Sequence, residues 1–461
     1  MSRILSCVVL RAGVAAACGW GLMGSLMAQN LSLDMLYRMA IERDPTVRAS
    51  RSLAVAAQER VSQAQSQKLP QVVLSMERMN NTLNLVGRED VYFSANRTLQ
   101  IRQPIYRPLV ADTALQAASQ QDEAQAQREA SERDLLARLS GVVFEHLYAV
   151  EQLSFVHSLE LAASAQVKAA EQALAAGSGM RTDIDEARAR LDAARVQGLQ
   201  VRLQIDATRR QVERLVGQPG VRIAPLQEQD TWEADQELMS LNEMLSLAEL
   251  RPEVRALQAR LEAARAEVSK VQSGYRPTLD ALARWVRSDG ENVFNPNGNY
   301  RNQQVGVMLN WPLYEGGMTL AAQREAQARV EESESRLQAL REDLATRVET
   351  QYKAVQEGQL RIRALRQAMH SAQQALVSSQ KSFQAGYRTR LDVLNAEQAY
   401  QQSRRDLTQG RLSYLLARIQ LSVLVDASPL EMLERQRPWF RLDADPSPAA
   451  TNPVVSAGSG S

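Results

Sequence analysis

The chain has 461 residues, of which 54 are basic and 53 are acidic, so its formal net charge is +1. This balance excludes a broad electrostatic interaction with nucleic acid, which needs a strongly basic face. Aromatic residues make up only 5% of the chain, which disfavours compact aromatic-rich cores. The length allows two to four ordinary domains or one extended body.

Residues for catalysis or metal binding are few. Both cysteines, Cys7 and Cys18, lie in the first 28 residues, and the three histidines are dispersed without the H-E-x-x-H spacing of metal hydrolases. No nucleophile–base pair or phosphate-binding loop stands out. We therefore expect no metal, no cofactor and no enzymatic activity.

Residues 1–28 are typical of a secretory signal peptide, because Arg3 and Arg11 are their only charges. We expect cleavage after Ala28, which leaves a mature chain with 52 basic and 53 acidic residues. Lipid attachment at Cys18, which follows three alanines, is the alternative. No later run reaches the ~18 apolar residues of a spanning helix, so the mature chain is expected to be exported without a membrane-spanning helix.

The next segment predicts a helix followed by a β-hairpin. Residues 45–68 are rich in helix formers, and Pro70 ends the pattern. Strands are predicted at about 71–79 and 92–104, joined by a turn-like link at 80–90. In the second strand Phe93, Ala95, Leu99 and Ile101 alternate with polar residues, as in a sheet with one apolar face. Arg97 interrupts that face without an explanation in the sequence.

A very long helix follows. Residues 108–176 contain one glycine and no interior proline, and would extend roughly 100 Å as a helix. Apolar residues recur at three- and four-residue steps, as in a coiled coil: Leu136, Leu139, Val143, Val150 and Leu153. His146 and His157 fall on the same seam, where they are interpreted as packing residues and not as ligands. Such a helix must pack against neighbours to bury its stripe.

The chain then repeats the same plan. Residues 44–74 and 251–281 agree at 11 of 31 positions, and Gln103-Pro104-Ile105-Tyr106 corresponds to Trp311-Pro312-Leu313-Tyr314. Gly177 and Asp183 correspond to Gly386 and Asp392. A shift of 207 to 209 residues is longer than solenoid periods and indicates a duplicated half. Similar composition of the helices is the alternative interpretation.

These patterns predict five segments. They are a signal peptide (1–28), a first repeat (29–216), a crossing between repeats (217–238), a second repeat (239–428) with strands at about 278–288 and 303–313, and a C-terminal tail (429–461) whose end is disordered. Each repeat is predicted as helix, β-hairpin and helix.

Four strands of alternating polarity cannot lie in lipid with open edges, because unpaired backbone groups are costly there. Four strands are also too few for the smallest closed barrel, which needs about eight. Several chains must therefore combine their strands. Four aromatic residues near the strand ends fit a membrane interface: Tyr92, Tyr275, Trp285 and Trp311. The alternative interpretation is that they merely lie beside turns.

Each half also contains a glycine between two helices, Gly177 and Gly386, where a left-handed turn is favoured. Asp183 and Asp392 follow in the first turn of the next helix, where carboxylates stabilise the helix end. Helix capping alone accounts for both aspartates.

Two segments carry a resemblance to a known family. Residues 305–318 (VGVMLNWPLYEGGM) and residues 386–396 (GYRTRLDVLNA) resemble the TolC family of outer-membrane channels. The duplication, the hairpins and the strand-to-helix junctions also fit over residues 31–432. The junction residues concerned are Pro104, Tyr106, Pro312, Tyr314, Gly316 and Gly317.

The resemblance implies a mainly α-helical chain with a β-barrel part. Three subunits would form a twelve-stranded barrel, continued by a periplasmic coiled-coil tunnel. It places Asp392 in an acidic ring at the periplasmic constriction, and Asp183 with Arg388 in a charged link that holds neighbouring helix pairs closed. Phe383 stands where a tyrosine of that link occurs, and Asn395 where a second acidic residue occurs, so one hydrogen bond and half of the ring charge are missing here.

The function implied is an outer-membrane exit duct with an iris-like gate. Its partners would be an inner-membrane ABC transporter, a periplasmic adaptor (membrane fusion protein), outer-membrane lipid and an exported polypeptide. A duct for a multidrug efflux pump is the first alternative, and Glu315-Gly316-Gly317-Met318 gives a weak preference for secretion. A periplasmic adaptor is a lower alternative, which the duplication disfavours.

Overall fold

The computed structural model describes residues 30–85, 87–225, 238–290, 298–425, 428–437 and 440. The predicted signal peptide, most of the crossing between repeats and the end of the tail lie outside them. The chain divides into two compact units. The helical unit comprises Met1–Val47, Glu132–Ala248 and Thr346–Ser461, and the sheet unit comprises Arg48–Ser131 and Glu249–Ala345.

The described elements follow one another in the order helices, hairpin, helices, helices, hairpin, helices. They are α1 (Leu33–Arg43), α2 (Pro45–Ser66), β1 (Gln71–Leu85), β2 (Arg88–Tyr106), α3 (Pro108–Ala175), α4 (Arg181–Val216), α5 (Leu241–Ala248), α6 (Pro252–Gln272), β3 (Thr278–Gly290), β4 (Tyr300–Asn310), α7 (Met318–Gln384), α8 (Arg390–Val425) and α9 (Pro429–Gln436). Among the described helices, none has an apolar stretch that could cross a membrane.

Helix starts follow the local chemistry. Pro45 occupies the first position of α2, where its missing N–H costs nothing, and the Asp44 carboxylate accepts hydrogen bonds from the amides of Thr46 (2.9 Å) and Val47 (3.0 Å). Pro252 starts α6 in the same way. Both prolines therefore mark the start of a helix that follows another helix.

The core of the helical unit forms where α1, α3, α7, α8 and α9 contribute apolar side chains. Its fully buried members include Leu36, Tyr37, Leu136, Leu139, Val143, Leu415, Ile419 and Leu433. The Tyr37 hydroxyl donates to the carbonyl of Glu132 (3.0 Å), which satisfies its one polar atom. Leu433 and Phe440 show that the first part of the predicted tail is packed structure.

The seam of α3 follows the predicted spacing for two turns and then drifts. Leu136, Leu139 and Val143 are buried, whereas Val150 is 43% exposed and the stripe continues through Phe155 and Val156. An α-helix repeats every 3.6 residues and not every 3.5, so a strict heptad moves around it. The histidines differ accordingly, as His146 Nδ1 lies 3.0 Å from Thr208 Oγ1, whereas His157 is exposed.

The four strands form one antiparallel sheet in the order β1-β2-β3-β4. Directly paired residues share a face, and successive residues alternate between faces. One face is largely apolar, and its members include Val72, Leu74, Leu99, Ile101, Ala283, Trp285, Val305 and Val307. Most of these side chains are exposed, with Val305 88% accessible. The alternation in the sequence is therefore confirmed.

The first hairpin is longer than predicted. The turn-like link at 80–90 is wrong for most of its length, because β1 runs to Leu85 and β2 begins at Arg88. Asn81 pairs with Tyr92, and its side-chain amide donates to the Ser94 hydroxyl (2.8 Å), so the asparagines continue the ladder. Gly87 takes the left-handed conformation (φ 87°) in the remaining turn.

The strand ends also shift in the second hairpin. β4 ends at Asn310 and not at residue 313, because Pro312 has no N–H to donate to the ladder. At its other end β4 begins at Tyr300, three residues before the predicted start, and β3 continues to Gly290. Residues 291–297 of the predicted loop lie outside the described ranges.

Candidate functional site

Two helical turns of the helical unit hold the predicted gate residues. Gly177 (φ 75°) follows α3, and Gly386 (φ 78°) follows α7. Two backbone hydrogen bonds close each turn. In the first turn the amides of Gly177 and Ser178 donate to the carbonyls of Leu174 and Ala173. In the second turn the amides of Gly386 and Tyr387 donate to the carbonyls of Phe383 and Ser382. This pair of bonds is a Schellman motif, which requires a left-handed residue at the glycine position.

The second turn is completed by a reciprocal cap. The Asp392 carboxylate accepts hydrogen bonds from the amide (2.9 Å) and hydroxyl (2.7 Å) of Thr389, and the Asp392 amide donates back to that hydroxyl (3.3 Å). This capping box satisfies amides that the first turn of a helix leaves unpaired. The hydroxyl and amide of Thr389 lower the pKa of Asp392, and Arg388 adds a smaller electrostatic contribution. The carboxylate is therefore charged at neutral pH.

The first turn is capped less completely. The Asp183 carboxylate accepts one hydrogen bond, from the Met180 amide (3.0 Å). Met180 stands where the second turn has Thr389, and a thioether is only a weak acceptor. Both aspartates thus have the capping role that their positions predict.

Arg388 has a partner on its own side of the turn. Its guanidinium donates to the buried Ser379 hydroxyl (2.9 Å), near the end of α7. Within the described part of a single chain, Arg388 and Asp183 do not form an ion pair. A link between them remains a prediction about neighbouring helix pairs.

Phe383 and Asn395 line two grooves beside this turn. Phe383 is 42% exposed and faces a groove of about 500 Å³ together with Leu161 and Val393. Asn395 lines a second groove of about 270 Å³, between α3, α4 and α8. Neither residue carries a charge, and Glu397 is the carboxylate that lines both grooves.

The strand-to-helix junctions belong to the sheet unit. Pro104 and Tyr106 flank an irregularity in the pairing of β2 with β3. Pro312 and Tyr314 follow β4, and Tyr314 is 88% exposed. Gly316 (φ 63°) and Gly317 (φ 85°) turn the chain into α7 with left-handed backbone that other residues resist.

A charged cluster near the first junction was not predicted. Asp280 is buried, and its carboxylate accepts from the Arg102 Nε (3.0 Å) and from Arg107 (2.8 Å). These partners lie 178 and 173 residues away in sequence, so only the sheet register brings them together. Breaking one partner of a buried ion pair is costly, so the cluster fixes β2 against β3 where the ladder is irregular.

The sequence of the chain matches a known family over most of its length. A model of the family described as "Outer membrane efflux protein" matches residues 36–218 and 245–425. The chain belongs to this family. The two matched segments each contain one hairpin and one of the glycine turns.

Two relatives agree over nearly their whole length. The proteases secretion protein PrtF of Dickeya chrysanthemi is 27% identical over 445 residues, covering 90% of this chain and 92% of the relative. The outer membrane protein TolC of Vibrio cholerae is 27% identical over 416 residues, covering 88% of this chain and 93% of the relative. The resemblance to TolC channels is confirmed.

The fold is also that of a solved outer-membrane protein. The structure of VceC from Vibrio cholerae superimposes with a TM-score of 0.71 over 86% of this chain and 96% of VceC, at 19% identity. The chain is therefore an outer-membrane efflux or secretion channel with a periplasmic part. These relatives are channel proteins and not enzymes.

Proposed function

We propose that three copies of this chain form the exit duct of a type I secretion system. Each subunit contributes four strands to a twelve-stranded barrel, and the long helices form a tunnel through the periplasm. An inner-membrane ABC transporter and a periplasmic adaptor deliver the exported polypeptide to the tunnel. The channel itself carries out no chemical step.

The observation that carries the proposal is the sheet. Its apolar face is exposed, and its edge strands β1 and β4 have no partner within the described chain. Lipid accepts an apolar face but not an open edge. Pairing β4 of one subunit with β1 of the next satisfies both edges and leaves the apolar face outside.

The helix lengths support a duplicated subunit. α3 and α7 have 68 and 67 residues, α4 and α8 have 36 each, and α2 and α6 have 22 and 21. Three such subunits give six quasi-equivalent hairpins, which suits an even number of strands and a symmetric tunnel.

The gate belongs to the same proposal. Asp392 forms an acidic ring at the constriction, and Asp183 with Arg388 links neighbouring helix pairs in the closed state. The transporter and adaptor favour the open arrangement because they bind it more tightly. Phe383 and Asn395 give this ring fewer polar contacts and less charge than a fully acidic one.

Similarity to PrtF favours secretion of a polypeptide over efflux of drugs. Similarity to TolC keeps multidrug efflux as the second candidate. A periplasmic adaptor is disfavoured because the family model covers both halves of the chain.

Deletion of the gene in its host separates the two candidates. We expect the deletion to remove specific polypeptides from the culture medium, and a plasmid with the full-length gene to restore them. Unchanged secretion together with increased sensitivity to drugs would replace secretion by efflux. In unheated gels the purified protein should migrate as a trimer, and a monomer at every temperature would exclude the duct altogether.

A further inference from the structure

Arg97 belongs to a row of arginines that only the sheet register reveals. Arg97 on β2 pairs directly with Arg287 on β3, and Arg287 pairs directly with Arg301 on β4. All three side chains are exposed and therefore point outward from the same face of the sheet. The next row on this face adds Arg78 on β1 and Asp289 on β3.

This arginine row lies on the apolar face. On β3 it ends the run of apolar positions, whereas on β2 the apolar positions Ala95 and Phe93 continue beyond it. Four apolar positions of β3 on this face precede it, from Leu279 to Trp285, and Arg287 follows at the next position. Leu279 and Arg287 are eight residues apart, or about 26 Å along the strand. Strands of an outer-membrane barrel tilt by about 40°, so this length rises about 20 Å within an apolar band about 25 Å tall. The spacing therefore places the row near the far rim of the lipid-facing belt.

The row carries more positive charge than the described residues neutralise. Asp289 is the acidic partner, 3.4 Å from Arg287 Nε and 3.9 Å from Arg97. Arg301 has no ion-pair partner among the described residues, and the Arg78 guanidinium stacks over the Phe93 ring at 5.7 Å. Like charges directly opposite each other destabilise a sheet, so an anion bound beside this row would stabilise it.

We propose that the row formed by Arg97, Arg287 and Arg301 binds the phosphate groups of an anionic lipid in the outer leaflet of the outer membrane. The lipid chains cover the apolar belt beside the row, and the phosphates meet the guanidinium groups. Guanidinium groups bind phosphate through paired N–H donors. Trp285 is 53% exposed and is the residue next to Arg287 on the same face of β3, which suits the same interface.

The surroundings favour a lipid over a soluble anion. A site for a free phosphate is normally enclosed by backbone amides or by polar side chains, whereas this row is open and adjoins the exposed side chains of Leu74 and Trp285. An amphiphile is the ligand that matches a charged row beside an apolar belt. The inference rests on the proposal that this face lies in lipid.

The test measures binding of a bis-phosphorylated glucosamine lipid to the full-length trimer in neutral detergent. The variant R97Q/R287Q/R301Q should bind this probe about a hundredfold more weakly, and R301Q alone about fivefold more weakly, because each basic residue at an anionic lipid surface contributes about a factor of five. The Lys variant R97K/R287K/R301K should retain most of the affinity. Inorganic phosphate at millimolar concentration should not displace the lipid.

The matched control is R329Q/R336Q/R361Q, which removes the same charge from exposed positions of α7. It should bind like the original chain. Equal binding by the row variant and the control would overturn the inference, and displacement by inorganic phosphate would replace the lipid with a soluble anion. Gel mobility distinguishes loss of lipid binding from failure of the proposed function. A chain that never forms a trimer contradicts the proposed duct and not the lipid site. If the triple variant does not assemble, R301Q decides the result.

Discussion

The turn between α3 and α4 and the turn between α7 and α8 have the same backbone arrangement but differ in the number of hydrogen bonds that stabilise them. Both have a left-handed glycine, the same pair of backbone bonds and an aspartate in the first turn of the following helix. In the second turn, Thr389 and Arg388 replace the Met180 and Gly179 of the first. These replacements add the Thr389 hydroxyl to the cap and the bond from Arg388 to Ser379.

The difference suggests a division of labour between the two halves. The shared backbone arrangement needs only glycine and aspartate, so both halves retain them. The second turn holds its carboxylate in a fixed, charged position, which suits the acidic ring that we propose. The first turn leaves Asp183 with one backbone bond and a free lone pair, which suits a contact to a neighbouring helix pair.

The largest expected effect comes from removing the charged link that we propose between Asp183 and Arg388. We predict that Asp183→Ala with Arg388→Ala raises the single-channel conductance several-fold in a planar bilayer, because the closed state loses its contacts. Asp206→Ala with Arg209→Ala removes an ion pair within α4 and serves as the control. Equal conductance in both double variants would remove Asp183 and Arg388 from the gate.

The next effect concerns the charge of the proposed acidic ring. Asn395→Asp places a second carboxylate one turn beyond Asp392, so it should increase the preference for cations measured from reversal potentials. Gln373→Glu adds the same charge at an exposed position of α7 and should leave the preference unchanged. If the two variants behave alike, Asn395 does not line the conducting path.

A smaller effect tests the caps themselves. Thr389→Ala should speed amide exchange in the first turn of α8 by roughly fivefold, since an N-cap contributes about 1 kcal/mol. Met180→Thr should slow exchange in the first turn of α4, because Met180 already has the extended backbone of an N-cap (φ −104°, ψ 153°). Unchanged exchange in both variants would contradict the difference between the turns.

The smallest effect is a shift in pH dependence. The bonds from Thr389 lower the pKa of Asp392, so the folded chain keeps this charge below the ordinary pKa of 3.8. The charged form of Asp392 therefore stabilises the folded chain fully above pH 3.8, and this stabilisation is lost as the pH falls through the lowered pKa of the folded state. Thr389→Ala should move the loss of cation preference to higher pH, whereas Thr182→Ala should not. If Thr389→Ala and the original chain lose their cation preference at the same pH, Asp392 does not determine ion selectivity.

The sequence predicted the parts of this molecule that depend on local spacing. The long helices, the alternating strands and the two glycine turns follow from periodicity and from single residues such as Gly386. The extent of the first hairpin was missed because Asn80 and Asn81 are turn residues by composition, yet their register partners hold them in the ladder.

Features that depend on register could not be read from the sequence. Arg97 looks like a defect in an apolar face until Arg287 and Arg301 lie beside it. Asp280 likewise meets Arg102 and Arg107 only through strand pairing. In both cases the partners are separated by more residues than any local pattern spans.

Disulfide cross-linking between the edge strands tests the central claim most directly, because the chain has no cysteine after Cys18. Ser75 on β1 and Asn302 on β4 lie on the same row, separated by three strand spacings, or about 14 Å. A disulfide requires Cα atoms within about 7 Å, so one chain cannot form it.

We therefore propose to combine Ser75→Cys with Gln304→Cys, Asn302→Cys or Tyr300→Cys in turn, which samples the register between subunits. At least one pair should give covalent trimers after oxidation that survive boiling and disappear on reduction, with each single cysteine as its control. Monomers in every combination, from protein that is in the outer membrane, would contradict a barrel closed by β1 and β4 of neighbouring subunits.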